Sequence, residues 1–166
     1  MSPDFVPLPV FVPLSDAEAA RYRAGGADAY GLPPETATAD WAVPCRHTLR
    51  LLPPGTPFLI VAHRPFRGLN PYTETGPIFL AAEDMPGATV SADLPAFLSS
   101  PAYIVRGYGA DERILYGTGA VVLTPDIPAA CERLLESDEV AFVHIRSASN
   151  NCFHVRVERA PPPPPA

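Results

Sequence analysis

VAFVHIRSASNNCFHVRVE, the stretch at residues 140–158, decides the fold, because it predicts an antiparallel hairpin with two different faces. Apolar and polar residues alternate through 140–146 and again through 152–158, with the period of two that a half-buried strand requires. The five-residue loop 147–151 is short enough to force antiparallel pairing of the two strands. The apolar face of this hairpin consists of Ala141, Val143, Ile145, Phe153, Val155 and Val157.

The other face of the hairpin carries the residues that could bind or react. It consists of Phe142, His144, Arg146, Cys152, His154 and Arg156. Keeping both faces intact places His144 opposite His154, because a shift of one residue would expose valines. The same register places Arg146 opposite Cys152. This face is either an ordinary solvated surface or an anion site, since arginine binds carboxylate or phosphate through two parallel donors and histidine can add a third.

Outward from the hairpin, the sequence predicts an α+β fold. Further strands are expected at 4–14, 45–52, 57–64, 77–83, 102–108 and 113–123, and helices at 16–24, 93–100 and 126–137. The strands outnumber the helices and cluster in antiparallel pairs, which favours a mixed, mostly antiparallel sheet with two to three helices packed on one face. Residues 1–159 are expected to form a single domain, followed by a disordered, proline-rich tail at 160–166.

The composition excludes several classes of function. The chain has 166 residues, of which 47% are hydrophobic and 18% charged, as in an ordinary globular domain. All 12 basic residues are arginines, so no lysine is available for a Schiff base or for a phosphate-binding P-loop. The net charge of −6 argues against a nucleic-acid partner. No apolar stretch approaches the roughly 20 residues of a membrane span, so no membrane partner is expected.

The cysteines and the first residues indicate the compartment. Cys45, Cys131 and Cys152 form an odd, sparse set, and the start of the chain lacks a basic, apolar signal. Reduced thiols in a cytoplasmic protein are therefore expected. The bias toward arginine, alanine and proline is typical of a GC-rich genome. No motif implies a cofactor, and none is expected; the oligomeric state is left open.

Several segments together resemble a bacterial family known as domain of unknown function number 1203. The matching pieces are Pro44-Cys45-Arg46, Pro71-Tyr72 leading to Gly76-Pro77-Ile78-Phe79, Arg106-Gly107-Tyr108, and Val143-His144-Ile145 with Ala148, Cys152 and Arg159. The similarity spans about residues 5–159. It implies a conserved-length bacterial domain and brings no activity, substrate or cofactor. Because that family often has a hydrophobic or small residue where this chain has His154, a site built on His154 would not be shared by the family.

The preferred hypothesis is a small binding or accessory domain with an arginine- and histidine-lined pocket for an anionic small molecule. The long loop 64–75 could contribute to it, because loops of this length in compact domains often cover binding sites. The candidate ligand-binding residues are Arg46, His63, Arg64, Tyr72, Arg106, Tyr108, His144, Arg146 and His154.

Three other interpretations stay open. A Cys/His enzyme acting on an acyl or thiol substrate would draw on Cys45, Cys152 and His144 as catalytic candidates. A zinc site is conceivable because Cys-x-His occurs twice, at Cys45/His47 and at Cys152/His154, and residues two apart on a strand face the same side. A structural or interaction protein without a small-molecule site, with the proline-rich tail as its ligand segment, is the third.

Overall fold

The computed structural model describes residues 7–162 and 164–166, and within them the strands and helices make an α+β fold. The strands are β1 Pro9–Val12, β2 Glu35–Thr38, β3 Val43–Cys45, β4 Arg50–Leu52, β5 Pro57–His63, β6 Gly76–Ala81, β7 Ala102–Tyr108, β8 Ala120–Leu123, β9 Phe142–Ser147 and β10 Phe153–Arg159. The helices are α1 Asp16–Arg23 and α2 Ile127–Leu135, the latter preceded by a 3-10 turn at Thr124–Asp126. Ten strands and two α-helices in this part of the chain confirm the predicted class, and every strand pair is antiparallel.

The larger sheet has five strands in the order β1-β10-β9-β7-β8. Strand β1 lies at its edge and pairs with β10, as expected for a segment whose prolines cannot donate to a second neighbour. Helix α2 packs on one face of this sheet, where Ile127, Cys131 and Leu135 meet Val143 and Ile145 in a buried core.

The second sheet has three strands in the order β2-β5-β6, and β3 and β4 form a separate hairpin beside it. Strand β5 is central, as its apolar run predicts, and helix α1 packs against it. Helix α1 begins where the sequence indicates a capping box, with the Ser15 hydroxyl accepting a hydrogen bond of 3.1 Å from the Glu18 amide.

Two of the predicted strands have other boundaries than expected, and one predicted helix is not formed. The strand expected at 45–52 is two short strands joined by a turn, in which Leu49 has a φ of 54°. The helix expected at 93–100 is absent from the described residues, which form turns and bends there. The strand expected at 113–123 begins at Ala120, because residues 109–119 form a longer excursion that has one isolated β-bridge to β7, at Ile114.

The register of the closing hairpin also differs from the prediction. Arg146 pairs with Phe153 and His144 with Arg156, because a β-bulge interrupts the β9–β10 ladder between Phe153 and Val155. Next to the turn the pairing is shifted by one residue. Cys152, which was expected opposite Arg146, accepts a hydrogen bond at its carbonyl from the amide of Ser147. His154 is the extra residue, and this restores the valines of β10 to the apolar face.

The bulge places the two histidines on opposite faces of the sheet. His154 packs between Phe97 and Tyr103 on the side of α2. His144 packs against Phe153 and other aromatic rings on the opposite side. The predicted pairing of His144 with His154, and of Arg146 with Cys152, is therefore wrong.

No helix in the described residues has the length and apolarity that crossing a membrane requires. Residues 160–162 and 164–166 belong to no helix or strand, and residue 163 lies outside the described residues. The division into a domain at 1–159 and a disordered tail at 160–166 stays a prediction.

Candidate functional site

The site lies where the face of β9 and β10 opposite α2 meets the three-stranded sheet and the loop 64–75. At its centre is His144, whose side chain is fully buried. Its neighbours across the ladder are Arg106 on β7 and Arg156 on β10, because these residues pair directly with it. Antiparallel pairing thus brings three of the polar side chains together on one face.

Four aromatic rings surround His144, and we call them the aromatic cage. Their centroids lie 4.8–5.1 Å from the imidazole centroid, and they belong to Phe66, Tyr108, Phe142 and Phe153. Neither ring nitrogen of His144 has a hydrogen-bond partner. Burial, reinforced by Arg146, Arg156 and Arg106, holds the pKa of His144 well below its usual value. The ring is therefore neutral at physiological pH and fills the cage as an apolar group.

A carboxylate joins two arginines beside this cage. Glu74, at the end of the loop 64–75, places Oε1 3.2 Å from Nη2 of Arg106 and Oε2 2.7 Å from Nη2 of Arg146. Arg106 also donates from Nε to the hydroxyl of Tyr108 at 3.0 Å. One carboxylate thus serves two guanidinium groups that come from neighbouring strands.

Arg146 remains only partly satisfied. The residue is 3% exposed, and its Nη1 donates to the carbonyl of Asn151 at 3.0 Å. Nη2 lies at ion-pair distance from Glu74, but its hydrogens do not point at the carboxylate, so Nη2 and Nε make no hydrogen bond. Buried donors without partners are costly, and native proteins leave few of them.

Arg146 and Glu74 line a cleft of about 470 Å³, which we call the Arg146 cleft. Its walls come from the end of β5, the loop before β6, and the β9–β10 turn. The lining residues are His63, Pro65, Thr73, Glu74, Thr75, Gly76, Pro77, Arg146, Asn150, Asn151, Cys152 and Phe153.

His63 forms part of the cleft wall as a neutral group. Its Nδ1 lies 3.2 Å from the hydroxyl of Tyr22, which fixes the ring at the junction of α1 and β5. Burial, together with Arg21 and Arg46, lowers the pKa of His63 to about 4. At neutral pH the positive charge around the cleft therefore comes from arginines alone.

Arg46 joins the two layers behind the cleft. Its Nε and Nη2 both donate to the carbonyl of Phe153, at 3.0 and 2.8 Å, and its Nη1 donates to the carbonyl of Pro44. Phe153 directly precedes the bulged residue, so Arg46 bonds the backbone next to the point where the ladder is interrupted. Burial, partly offset by Cys152 and Cys45, lowers the pKa of Arg46 to about 10, which still leaves it charged.

The structure brings together some of the predicted site residues and separates others. Arg106, Tyr108, His144 and Arg146 lie in one cluster, with His63 and Cys152 in the adjoining cleft. Tyr72 lies apart, with its hydroxyl 3.1 Å from that of Tyr116. Arg64 lines a different cleft, beside Tyr22.

The residues of the zinc alternative do not converge. His47 has Asp16 2.6 Å from Nε2 and Arg23 3.3 Å from Nδ1, whereas His154 lies on the far side of the larger sheet. Cys45 is buried in the core of the second sheet, away from solvent. In the part of the chain described here, no three side chains of His, Cys, Asp or Glu are grouped so that they could hold a metal ion.

The sequence offers Glu74 as one of the polar residues of the loop 64–75, but no pattern in it links Glu74 with the arginines. Glu74 lies 32 residues from Arg106 and 72 from Arg146 along the chain, so no local spacing connects them. The available signal was its position in the long loop 64–75, which was recognised as a possible binding loop.

A known protein family matches most of the chain. Residues 42–159 match the family described as "Protein of unknown function (DUF1203)". The matched segment includes β9, β10 and every residue that lines the Arg146 cleft. No curated protein and no solved structure matches the chain.

Proposed function

The chain belongs to the DUF1203 family of proteins of unknown function, which confirms the resemblance noted from the sequence, and we propose that it binds a small anionic molecule, with a carboxylate as the recognised group, in the Arg146 cleft. The observation that carries the proposal is Arg146, whose buried Nε has no hydrogen-bond partner and whose Nη2 has an ion-pair contact with Glu74 but no hydrogen bond. A ligand carboxylate in the cleft would supply those acceptors, and such charge-assisted hydrogen bonds are among the strong ones.

The balance of charge around the cleft supports an anion. Arg46, Arg106 and Arg146 contribute three positive charges, and Glu74 forms ion pairs with two of them, Arg106 and Arg146. Buried charge without compensation is costly, and breaking a buried ion pair is strongly destabilising for the same reason. An added anion lowers that cost, so the folded protein should bind one with a gain in stability.

Glu74 indicates the chemical class of the ligand. Its carboxylate already bridges Arg106 and Arg146, so the two guanidinium groups are positioned for a planar, two-oxygen acceptor. The Glu74 side chain is 33% exposed, and therefore lies at the edge of the cluster rather than sealed within it. A ligand carboxylate would share or replace this internal one.

The contacts of Cys152 do not support an acyl-transfer enzyme. Its sulfur makes a long contact of 3.8 Å to the carbonyl of Asn150, whereas a catalytic thiol needs a base within hydrogen-bond reach. His63 directs Nδ1 to Tyr22, and His144 is enclosed in the aromatic cage. Among the described residues, no histidine is hydrogen-bonded to a cysteine sulfur.

Calorimetric titration tests the proposal. Acetate, succinate and inorganic phosphate are titrated into the protein at constant ionic strength, with chloride as the reference anion. Wild type should bind a carboxylate saturably. Arg146→Gln should weaken the affinity by about tenfold or more, because a hydrogen bond to a charged group contributes about 1.5–3 kcal/mol. Glu74→Gln should strengthen it, because the competing internal carboxylate is gone.

Arg133→Gln is the matched control, since Arg133 is exposed on α2 and lies outside the cleft. It should bind as wild type does. The proposal is wrong if no carboxylate binds more tightly than chloride, or if the control loses as much affinity as Arg146→Gln. The first result would favour a structural protein without a small-molecule site, and the second would mean that the binding does not depend on the Arg146 cleft.

A further inference from the structure

We propose that Cys152 undergoes thiol–disulfide exchange with small disulfides that carry carboxylate groups, and that Arg146 selects these disulfides by their charge. The inference rests on the proposed anion-binding role of the Arg146 cleft. It adds a covalent step at a second residue of that cleft and names a substrate class for it.

Cys152 is the cysteine that the cleft leaves open. It is partly exposed and belongs to the cleft wall, whereas Cys45 and Cys131 are fully buried in two different cores. Burial also raises the pKa of Cys131 to about 12, so that thiol stays protonated and unreactive. Of the three cysteine sulfurs, a reagent that enters the cleft can therefore reach that of Cys152.

Arg146 gives the independent indication of a ligand beside this sulfur. Its Nη1 donates to the carbonyl of Asn151, the residue that precedes Cys152, so the guanidinium lies along the same wall. Nε and Nη2 remain without a hydrogen-bond partner. A molecule whose carboxylate reached these donors would have its remaining atoms near the thiol.

The surroundings of Cys152 suit disulfide exchange better than acyl transfer. Exchange requires a thiolate and access, and no positioned general base. Arg46 and Arg146 make the surroundings of Cys152 electropositive, which attracts an anionic disulfide. Arg46 is near enough to Cys152 for the sulfur to influence the pKa of its guanidinium. His63 lies in the same cleft but is neutral, so it adds no charge of its own to the selection of disulfides by Arg146.

The reaction is balanced without an additional oxidant. The Cys152 thiol loses its proton to solvent, and the thiolate attacks one sulfur of the small disulfide. A new bond forms between that sulfur and Cys152 while the original sulfur–sulfur bond breaks. The other half leaves as a thiolate and takes up a proton. Cys152 is oxidised to a mixed disulfide, and half of the small disulfide is reduced to a thiol.

The test compares three small disulfides of different charge. Oxidised glutathione is anionic, hydroxyethyl disulfide is neutral and cystamine is cationic. Each reacts with the full chain, the adduct is followed by intact mass, and each rate is divided by that of a neutral reference thiol. The anionic disulfide should react about tenfold faster than the neutral one and the cationic one slower still. One unit charge at about 6 Å, with an effective dielectric constant of about 40, gives this factor.

Two variants test the role of charge in the cleft. Arg146→Gln should abolish the preference, whereas Arg133→Gln should keep it. Because Arg146→Gln removes a buried group and could fail to fold, Asn150→Asp provides a second route. Asn150 is exposed at the cleft wall, so an aspartate there should slow the anionic disulfide selectively. The neutral Asn150→Gln should leave all three relative rates unchanged.

Peptide mapping completes the experiment. The proposal predicts that the adduct lies on Cys152 and is lost in Cys152→Ser. It is overturned if the adduct lies on Cys45 or Cys131, if no adduct forms, or if the three disulfides react in proportion to the reference thiol. If charge preference is absent while Cys152→Ser still binds carboxylates by calorimetry, the exchange proposal fails and the binding function stands. If carboxylate binding is also absent, both fail.

Discussion

Lowering the pH from 7 to 5 should destabilise this protein through its buried histidines, and replacing His154 should remove one measurable part of that loss. Burial, together with Arg46, lowers the pKa of His154 to about 4 despite a 3.0 Å hydrogen bond between its Nδ1 and the carbonyl of Cys152. In the unfolded chain the histidine has an ordinary pKa of about 6.5. Between these two values the unfolded state binds the additional proton, so the free energy of unfolding rises with pH across that window.

The magnitude follows from the two pKa values. The stability contributed by a neutral buried histidine is fully present above pH 6.5 and is lost as the pH falls toward 4. At pH 5 the unfolded state gains about 2 kcal/mol relative to pH 7 from a histidine with these values. His63 should contribute a similar amount, because burial lowers its pKa to about 4 as well. His144 should add to the loss in the same direction.

Urea denaturation at pH 7 and at pH 5 measures the effect. The variant His154→Phe removes the titrating group and keeps a ring between Phe97 and Tyr103. Whatever the substitution costs in packing is the same at both pH values, so it cancels in the difference. The loss of stability between pH 7 and pH 5 should therefore be smaller in His154→Phe than in wild type by about 2 kcal/mol.

Val155→Ala is the control for this experiment. Val155 is buried next to His154 on the same strand, and its truncation should destabilise the protein equally at both pH values. The reasoning is refuted if His154→Phe shows the same pH dependence as wild type, or if Val155→Ala changes that dependence as much as His154→Phe does.

Three further predictions concern the contacts around the cleft. Glu74→Ala should lower the free energy of unfolding by about 1–3 kcal/mol in chloride, because two guanidinium groups lose their carboxylate; acetate should restore part of the loss where chloride does not, as thermal denaturation would show. Arg46→Met should destabilise the protein by about 1–3 kcal/mol in urea titrations, because the carbonyl of Phe153 loses both donors; a change well below about 1 kcal/mol would mean that this contact is not formed. Iodoacetamide should label Cys152 in the native protein and Cys131 only after unfolding, and equal native labelling by mass spectrometry would contradict the burial described here.

The closing hairpin shows how far the sequence determines the fold. Alternation predicted both strands and placed Val143, Ile145, Val155 and Val157 together on a buried face, as the structure has them. Alternation could not predict the bulge at His154. More than one register of the two strands is compatible with an alternating pattern, as long as no residue is forced onto the wrong face. Phe153 is apolar and can lie on either face of the hairpin, so its position in the sequence did not indicate the bulge.

The site was predictable in part for a related reason. Residues on one face of a strand are visible in the sequence, which is why alternation points to His144 and Arg146, whereas Arg106 stands out only as part of the family resemblance. Which strand lies beside which depends on the whole topology, and the pairing of β7 with β9 brought Arg106 opposite His144. Glu74 reaches the cluster from a loop, and its contacts are set by tertiary packing rather than by any periodicity.

The most direct test of the account is the side-chain NMR signal of Arg146 during a carboxylate titration. Its Nε–H resonance can be assigned by its absence in Arg146→Gln, and this proton has no hydrogen-bond acceptor in the structure. Succinate at constant ionic strength should shift the resonance saturably, with the same affinity as calorimetry gives, while chloride leaves it in place. A resonance that does not move with succinate, or that moves equally with chloride, would contradict a carboxylate site at Arg146.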